Sequence, residues 1–497
     1  MDFIPEQREL RRELPVVVGN VDYREFEERL ERMDELLRDS GLERKFVEQQ
    51  LAAWVRGAAG RVSVSVKEQR RRQRMYMQAL RCTLARQLTE KEHRRFSRRL
   101  AESALLQWFC GVERLDTIRV PSKSTLQRYE KLVPEPVVRA VVNTLNGLAC
   151  AEGGRKGQPL GLEEALGIDV CWADTTCVKA PIHFPVDWVL LRDAVRTLMK
   201  AVVLIRRQGL KQRMEEPEVF LRRMNRLAIE MTHSRRKAGS VKARKRVLRR
   251  MKRLSGVIRR HAERYVQVLK ERWGETEWTE AQAQQVIRRM EGVLAKLPEA
   301  IRQAHERIIG GRLVANADKL LSLYEPDVHV IVRGKAQAEV EFGNTLLLGE
   351  QREGLIVDWK LLRDQSPGDP VLLEESLERL HGVFGCYPLG VGADRGFDRR
   401  ATREHLEARD IFNGICARSV QRHNEQMQEE AFEAVQWRRG QTEGRIGIFQ
   451  NDFLGRPLRN KGFESRELAV AWAVLAHNLW VLARLPRAET RQKKKAA

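Results

Sequence analysis

GIDVCWADTTCVK, residues 167–179, is the stretch on which the reading of this chain turns. Val, Ile, Thr, Cys and Trp crowd it, the composition of a buried strand rather than of a helix. Asp174 closes the strand and is followed by two threonines. On either side the apolar spacing is helical, so the strand stands alone in the first two-thirds of the sequence.

Upstream, residues 20–165 read as helix. Segments such as YREFEERLERMDELLRDSGLE (23–43) and HRRFSRRLAESALLQWF (93–109) repeat apolar residues at three and four. In VPSKSTLQRY (120–129), Ser and Thr precede an amphipathic run, which marks a helix start. With its basic neighbours, Lys123 among them, this helix-turn-helix pattern suits a DNA groove; a plain helical hairpin explains it equally. EGGRKGQP (152–159) reads as a linker. Downstream, residues 187–320 return to helix. Within them, residues 231–262 hold 13 Lys or Arg and no acid. Val241, Leu248, Met251, Leu254 and Ile258 recur there at helical spacing, so the run is a folded basic helix. One reading is a solvated face. The other is a surface for the DNA backbone carried by Lys245, Arg246, Arg249, Arg250, Lys252 and Arg253.

After Pro326 the period changes to two. Strands are expected at 328–332, 338–342, 345–348 and 354–359, then a helix (371–384), a strand (389–394), a helix (400–409) and a strand (411–417). Helix follows from about residue 426, ending in an apolar closing helix at 472–485. The order implies an α/β fold, a mixed sheet flanked by helices. It is similar to the arrangement of ribonuclease-H-like folds. The expected parts are a helical N-terminal DNA-binding region (1–160), the first part of the catalytic domain (161–186), a long basic helical insertion (187–325), the remainder of the domain (326–485) and a basic tail (486–497).

Composition narrows the class. Lys and Arg outnumber Asp and Glu by 91 to 68, a net charge of +23, and a large chain with that excess suits a polyanionic partner. Seven scattered cysteines without a CxxC pair exclude a zinc ribbon and a disulfide framework, and fit a reducing cytoplasm. The start, MDFIPEQREL, does not read as a signal peptide, and no apolar run is long enough for a membrane span.

Three acids stand where this architecture would gather them: Asp174 after the first strand, Asp394 in GADRGFD (392–398) and Glu443 near the start of a late helix. Strand ends in open sheets form ligand crevices, and Gly392 and Gly396 would let the backbone turn there. Carboxylates suit hard divalent ions, and two ions about 3.5–4 Å apart serve both the attacking and the leaving oxygen of a phosphodiester. Taken singly, an Asp after a strand is more often a turn former or cap; this covers Asp169, Asp187, Asp193, Asp358 and Asp398 as well. Trp172 reads as core. Trp437 reads either as core or as a surface on which an unpaired base stacks. His477 and Asn478 read as satisfied core polar groups.

Taken together, DTTCVKAPIHFPVDWVLLRD (174–193), EPDVHVIVRGKAQAEVEFGNTLLL (325–348), GADRGFD (392–398), RRGQTEGRIGIFQNDFLGRPLRNKGFE (438–464) and AWAVLAHNLWVLARL (471–485) resemble the DDE transposases of bacterial insertion sequences. The resemblance implies that Asp174, Asp394 and Glu443 hold two Mg²⁺ ions, for which Mn²⁺ can substitute. It implies cleavage of one DNA strand at the element end, then attack of the freed 3′-hydroxyl on target DNA. The implied partners are the element's terminal repeats, target DNA and a second copy of the chain on DNA, in a cytoplasmic, nucleoid-associated setting. A related subgroup surrounds its Glu with Tyr, Arg and Lys; Arg439 fits the Arg, whereas Gln436 and Gln450 occupy the other two positions. Arg439 and Arg445 would then face phosphate; the plainer reading is a helix-surface salt bridge with Glu443, an exposed residue paired with Arg439 four positions earlier. The rival expectations are a nuclease or resolvase of the same fold without strand transfer, and a non-catalytic DNA-binding remnant.

Overall fold

The computed structural model describes residues 13–57, 65–114, 117–153, 157–234, 239–335 and 338–488. Part of the 152–159 linker, part of the basic run and most of the C-terminal tail lie outside them. Seven helices come first: α1 (Val21–Asp39), α2 (Leu42–Gly57), α3 (Val66–Thr89), α4 (His93–Glu102), α5 (Ala104–Cys110), α6 (Lys123–Glu130) and α7 (Glu135–Cys150), with a two-residue ribbon of β1 (Glu113–Arg114) and β2 (Thr117–Ile118) between α5 and α6. Their starts are local chemistry. Ser65, Ser103 and Ser122 each accept a backbone N–H of the first turn, of Glu68, Leu106 and Thr125 respectively.

Strand β3 (Val170–Lys179) follows, running five residues past Asp174, which therefore lies within the strand rather than at its end, and then the insertion: α8 (Asp187–Arg207), α9 (Pro217–Ser234), α10 (Ser240–Arg272) and α11 (Glu280–Ala304). The remainder comprises β4 (His329–Lys335), β5 (Ala338–Glu350), β6 (Ile356–Leu361), α12 (Asp369–Phe384), β7 (Gly390–Ala393), α13 (Arg400–Glu407), β8 (Phe412–Ile415), α14 (Val420–Gln426), α15 (Glu430–Ile448) and α16 (Phe463–Leu482). A π-helical segment, Phe449–Leu454, continues α15.

The sheet is mixed, ordered β4-β5-β3-β7-β8, with β6 on the far half of the same β5 edge that carries β4. Strand β3 pairs antiparallel with β5 and parallel with β7, which is parallel to β8. Where two strands are expected at 338–342 and 345–348, the structure has one. Gly343 is not a turn: a Cβ there would stand 2.1 Å from the Val178 carbonyl oxygen. Glycine at 343 lets the two strands close up. Next to it, Asn344 is fully buried and donates to the carbonyls of Asp327 and Leu362.

Two apolar cores hold the chain. The insertion helices bury their own, around Leu198, Met251, Ile258 and Leu297. The N-terminal helices share the other with the sheet and α16, through residues such as Phe46, Leu84, Leu347, Trp359, Trp472 and Leu479. No helix among the described residues is long and apolar enough to cross a membrane.

Candidate active site

Successive side chains of a strand leave opposite faces, and β3 shows both assignments. On one face, Trp172 Nε1 donates to the Val435 carbonyl of α15 at 2.9 Å, and Thr176 Oγ1 accepts from Gln450 Nε2 at 2.8 Å. On the other, Thr175 Oγ1 donates to Asp369 Oδ1 of α12 at 3.1 Å. Asp174 shares the face of Trp172 and Thr176, beneath α15 and its extension.

The parallel register Trp172↔Gly392 fixes the partner. Two residues further along come Asp174, still within β3, and Asp394, just past the end of β7. Gly392 is not there to turn the chain. It lies inside β7, where a Cβ would come within 2.5 Å of Trp172 Cδ1 and 2.8 Å of Val435 Cγ1. Its lack of a side chain lets α15 lie against the sheet. Beyond it, Asp394 caps a short 3-10 turn, accepting the Gly396 N–H at 2.7 Å.

Helix α15 is fastened by its inner face. Arg438 stacks over Trp172, pairs with Glu350 at 2.9 Å and donates to the Gln351 and Arg352 carbonyls, while Thr442 donates to Glu350 at 2.7 Å. The two glutamines at the subgroup's Tyr and Lys positions do similar work. Gln436 donates to the Ala393 and Gly414 carbonyls, and Gln450 to Thr176 and the Cys177 carbonyl. One flank of the helix reaches the strand ends. There Arg439 donates to Gln436 Oε1 at 2.7 Å and pairs with Glu443 at 3.4 Å. Cys416, at the end of β8, reports the local field: burial pushes its thiol up, Arg439 and Arg395 oppose this, and Asp394 adds to it.

Glu443 is two-thirds exposed, and its charge is directed at Arg439. Among the described residues no three of His, Cys, Asp and Glu gather in a metal-holding group. Asp174 lies on β3, Asp394 directly follows its neighbour β7, and Glu443 is carried by α15 with its carboxylate on Arg439. As oxygen donors these carboxylates suit a hard divalent ion.

Arg445 departs from expectation. Its contacts are the Arg352 carbonyl at 3.4 Å and Glu350 at 3.9 Å, at the β5–β6 turn, where it also occupies the space a Cβ on Gly354 would need. It braces that turn. Trp437 is 74 % exposed, which leaves the stacking surface and removes the core reading. Trp172 is core, as expected. His477 and Asn478 are satisfied in the core: Asn478 bridges Asn146 and both backbone groups of Ile356, and His477 contacts Asn478 at 3.1 Å. Burial drives the His477 imidazole down to about 4. The remaining acids have structural work. Asp358 holds Arg379 and Ser376, Asp187 holds Arg307 and Gln303, and Asp398 holds Arg403 and the Arg418 N–H.

The sequence reading missed Asp369. A Cβ on Gly396 would lie 2.8 Å from Asp394 Oδ1 and 3.1 Å from Asp369 Oδ2, so both carboxylates flank one glycine. In sequence, Gly368-Asp369-Pro370 signals only a helix start, and nothing local ties it to Thr175.

In the insertion, Arg246, Arg249 and Arg253 are exposed on α10. Lys245 is half-buried, Arg250 pairs with Glu230 at 2.9 Å, and Lys252 contacts His305 at 2.9 Å. Lys123 stands exposed in the first turn of α6, whose N-cap is Ser122. No family model, no curated protein and no solved structure matches the chain.

Proposed function

We propose that this chain is a transposase of the DDE class, cutting DNA at the ends of a mobile element and joining the freed end to target DNA. The observation that carries the reading is the parallel register Trp172↔Gly392, which sets Asp174 and Asp394 two residues further along neighbouring strands, under a helix that carries Glu443. The strand order supports it. A central strand flanked by an antiparallel pair on one side and two parallel strands on the other is similar to the ribonuclease-H-like arrangement expected from the sequence.

Asp174 and Asp394 would hold the ions, with Glu443 completing the set after leaving Arg439. A bound pair of Mg²⁺ or Mn²⁺ ions would supply the charge that activates the attacking oxygen and stabilises the leaving one. The protein's own part would be to aim both carboxylates: the backbone N–H of Thr175 holds one oxygen of Asp174, and that of Gly396 one oxygen of Asp394. Arg439, on the same flank, is placed to receive a phosphate once its bridge to Glu443 opens.

The test is incubation with labelled DNA ends and Mg²⁺ or Mn²⁺, followed by a strand-transfer assay of the 3′-hydroxyl product. Asp394→Asn should abolish cutting and preserve DNA binding, because it removes a ligand from a nearly unchanged shape. Cutting by that variant would overturn the ligand assignment, and cutting without joining would leave a nuclease. The outward Glu443 favours a second reading, a DNA-binding remnant without activity. It predicts no product with any divalent ion and no effect of Asp174→Ala.

A further inference from the structure

The basic run is two populations of cations, and the fold separates them. Helix α10 spans 33 residues. At 3.6 residues per turn, Lys242, Arg246, Arg249, Arg253, Arg260 and Arg264 fall within an arc of about 80°, over roughly 33 Å of helix. Gly256 lies in the same arc, with open space where its Cβ would be. Diametrically opposite are the buried positions Leu248, Met251, Ile258 and Ala262. All six cations are exposed, and none has an ion-pair partner among the described residues. Those on the flanks are engaged: Arg250 with Glu230, Lys252 with His305 and Arg259 with Glu263.

A merely solvated face would not look like this. Elsewhere the chain places a glutamate four residues from exposed arginines, as in Arg44–Glu48 and Arg400–Glu404, and from half-buried ones, as in Arg29–Glu25 and Arg139–Glu135. Such pairs favour helix, whereas like charges at the same spacing oppose it. On this stripe the neighbours are Lys242–Arg246, Arg246–Arg249, Arg249–Arg253 and Arg260–Arg264, all of like sign. The helix is kept folded by its core against its own surface charge. An external polyanion with closely spaced charges along a straight line offsets that repulsion.

We infer that this stripe is the docking face of the insertion for the backbone of duplex DNA. Its length is about one turn of B-form duplex, roughly 34 Å, and the major groove is about 12 Å wide, enough to admit a helix. Arginine and lysine along a helix reach phosphates on both strands, and Gly256 allows close approach near the middle. The contacts carry no base readout, so the face holds DNA of any sequence. This deepens the transposase reading and rests on it for the identity of the polyanion.

The test is binding of the full-length protein to a 30-base-pair duplex in EDTA, across a range of salt, with helicity checked by circular dichroism. Glutamine keeps helix propensity, so the stripe variant is R246Q/R249Q/R253Q/R260Q and the control is R250Q/K252Q/R259Q. Each phosphate contact adds about 0.9 to the slope of log K against log salt. The stripe variant should lose about 3–4 of that slope and bind on the order of 10³-fold more weakly at 0.15 M salt. The control should keep the wild-type slope. Equal losses in both variants, or none in either, would overturn the assignment. So would a wild-type protein that binds phosphatidylserine vesicles but not duplex. Because binding is read without metal, a failed stripe leaves the Asp174–Asp394 reading standing. A cleavage-dead protein with the stripe effect intact sinks only the catalytic reading.

Discussion

Arg438→Met is the substitution that most directly probes how the site is built. The Arg438 side chain is 10 % exposed and its partner Glu350 6 %. Besides that bridge, its guanidinium donates to the carbonyls of Gln351 and Arg352 and lies 4.8 Å from the Trp172 ring. Methionine fills similar volume but leaves Glu350 charged and buried with the Thr442 hydroxyl and, at 3.9 Å, the more distant Arg445 guanidinium. Removing one partner of a buried pair costs about 3–5 kcal/mol, mostly because the remaining charge is uncompensated. The chain has two separate cores, so a single global unfolding energy is ill-defined. Hydrogen exchange of the α15 amides reads the local cost instead. Protection should fall on the order of 10²–10³-fold, at 1.36 kcal/mol per tenfold. The double variant Arg438→Met/Glu350→Leu should recover at least half of the loss, since an apolar pair leaves no stranded charge. Protection unchanged within threefold, or a double variant as damaged as the single one, would refute the claim that this bridge seats the helix.

Two further outcomes follow from the same structure. Gly343→Ala puts a Cβ against the backbone of Val178, which cannot yield as a side-chain tip does; a loss of about 1–3 kcal/mol or more is expected, read as reduced amide protection in β3 and β5, and wild-type protection would contradict the close approach. Glu130 is buried, which alone would raise its carboxyl, yet Arg86 and His93 at 3.0 and 2.8 Å hold it down at about 2. Its folded value lies below the ordinary 4.5, so its stabilisation is present above pH 4.5 and is lost as pH falls towards 2, a loss on the order of 3 kcal/mol. Melting of the wild type between pH 5 and 2.5 should therefore fall more steeply than that of Glu130→Gln; parallel curves would refute it.

Much of the sheet could be read from sequence because its strands are short apolar runs separated by helices. The order from β6 to β8, the starts of α6 and α12 and the place of Asp394 just past a strand all follow from local pattern. What failed was whatever depends on a distant neighbour. Gly343 reads as a turn until Val178 is known to lie against it, and Gly392 reads as a hinge until Trp172 and Val435 are in view. Asp369 looks like a helix cap because its tie is to Thr175, 194 residues away. The basic run shows its charge in sequence, but which cations are free depends on Glu230 and His305, which lie on other elements. Arg439 and Arg445 flank Glu443 four residues before it and two after, so on a helix they point about 120° apart, and only the packing of α15 shows that the second reaches the β5–β6 turn.

That flat seating explains why the third acid can lie outside the pair without the site being badly built. The inner face of α15 is fixed by Arg438, Thr442 and Gln436, all bonded to sheet backbone or buried groups. Its outer flank, Arg439 and Glu443, is joined by one bridge between a quarter-exposed and a two-thirds-exposed side chain. A bridge of that kind is worth about 0–1 kcal/mol. Turning Glu443 towards Asp174 and Asp394 therefore costs little in lost bonds. What opposes it is the repulsion among three carboxylates brought to one place. On the proposed reading a divalent cation would reverse that sign, and a phosphate arriving at Arg439 would weaken the competing bridge at the same moment. The rigid parts of the site thus set the position from which Glu443 starts, while charge decides whether it moves, so loading of the site and arrival of DNA would act on the same side chain.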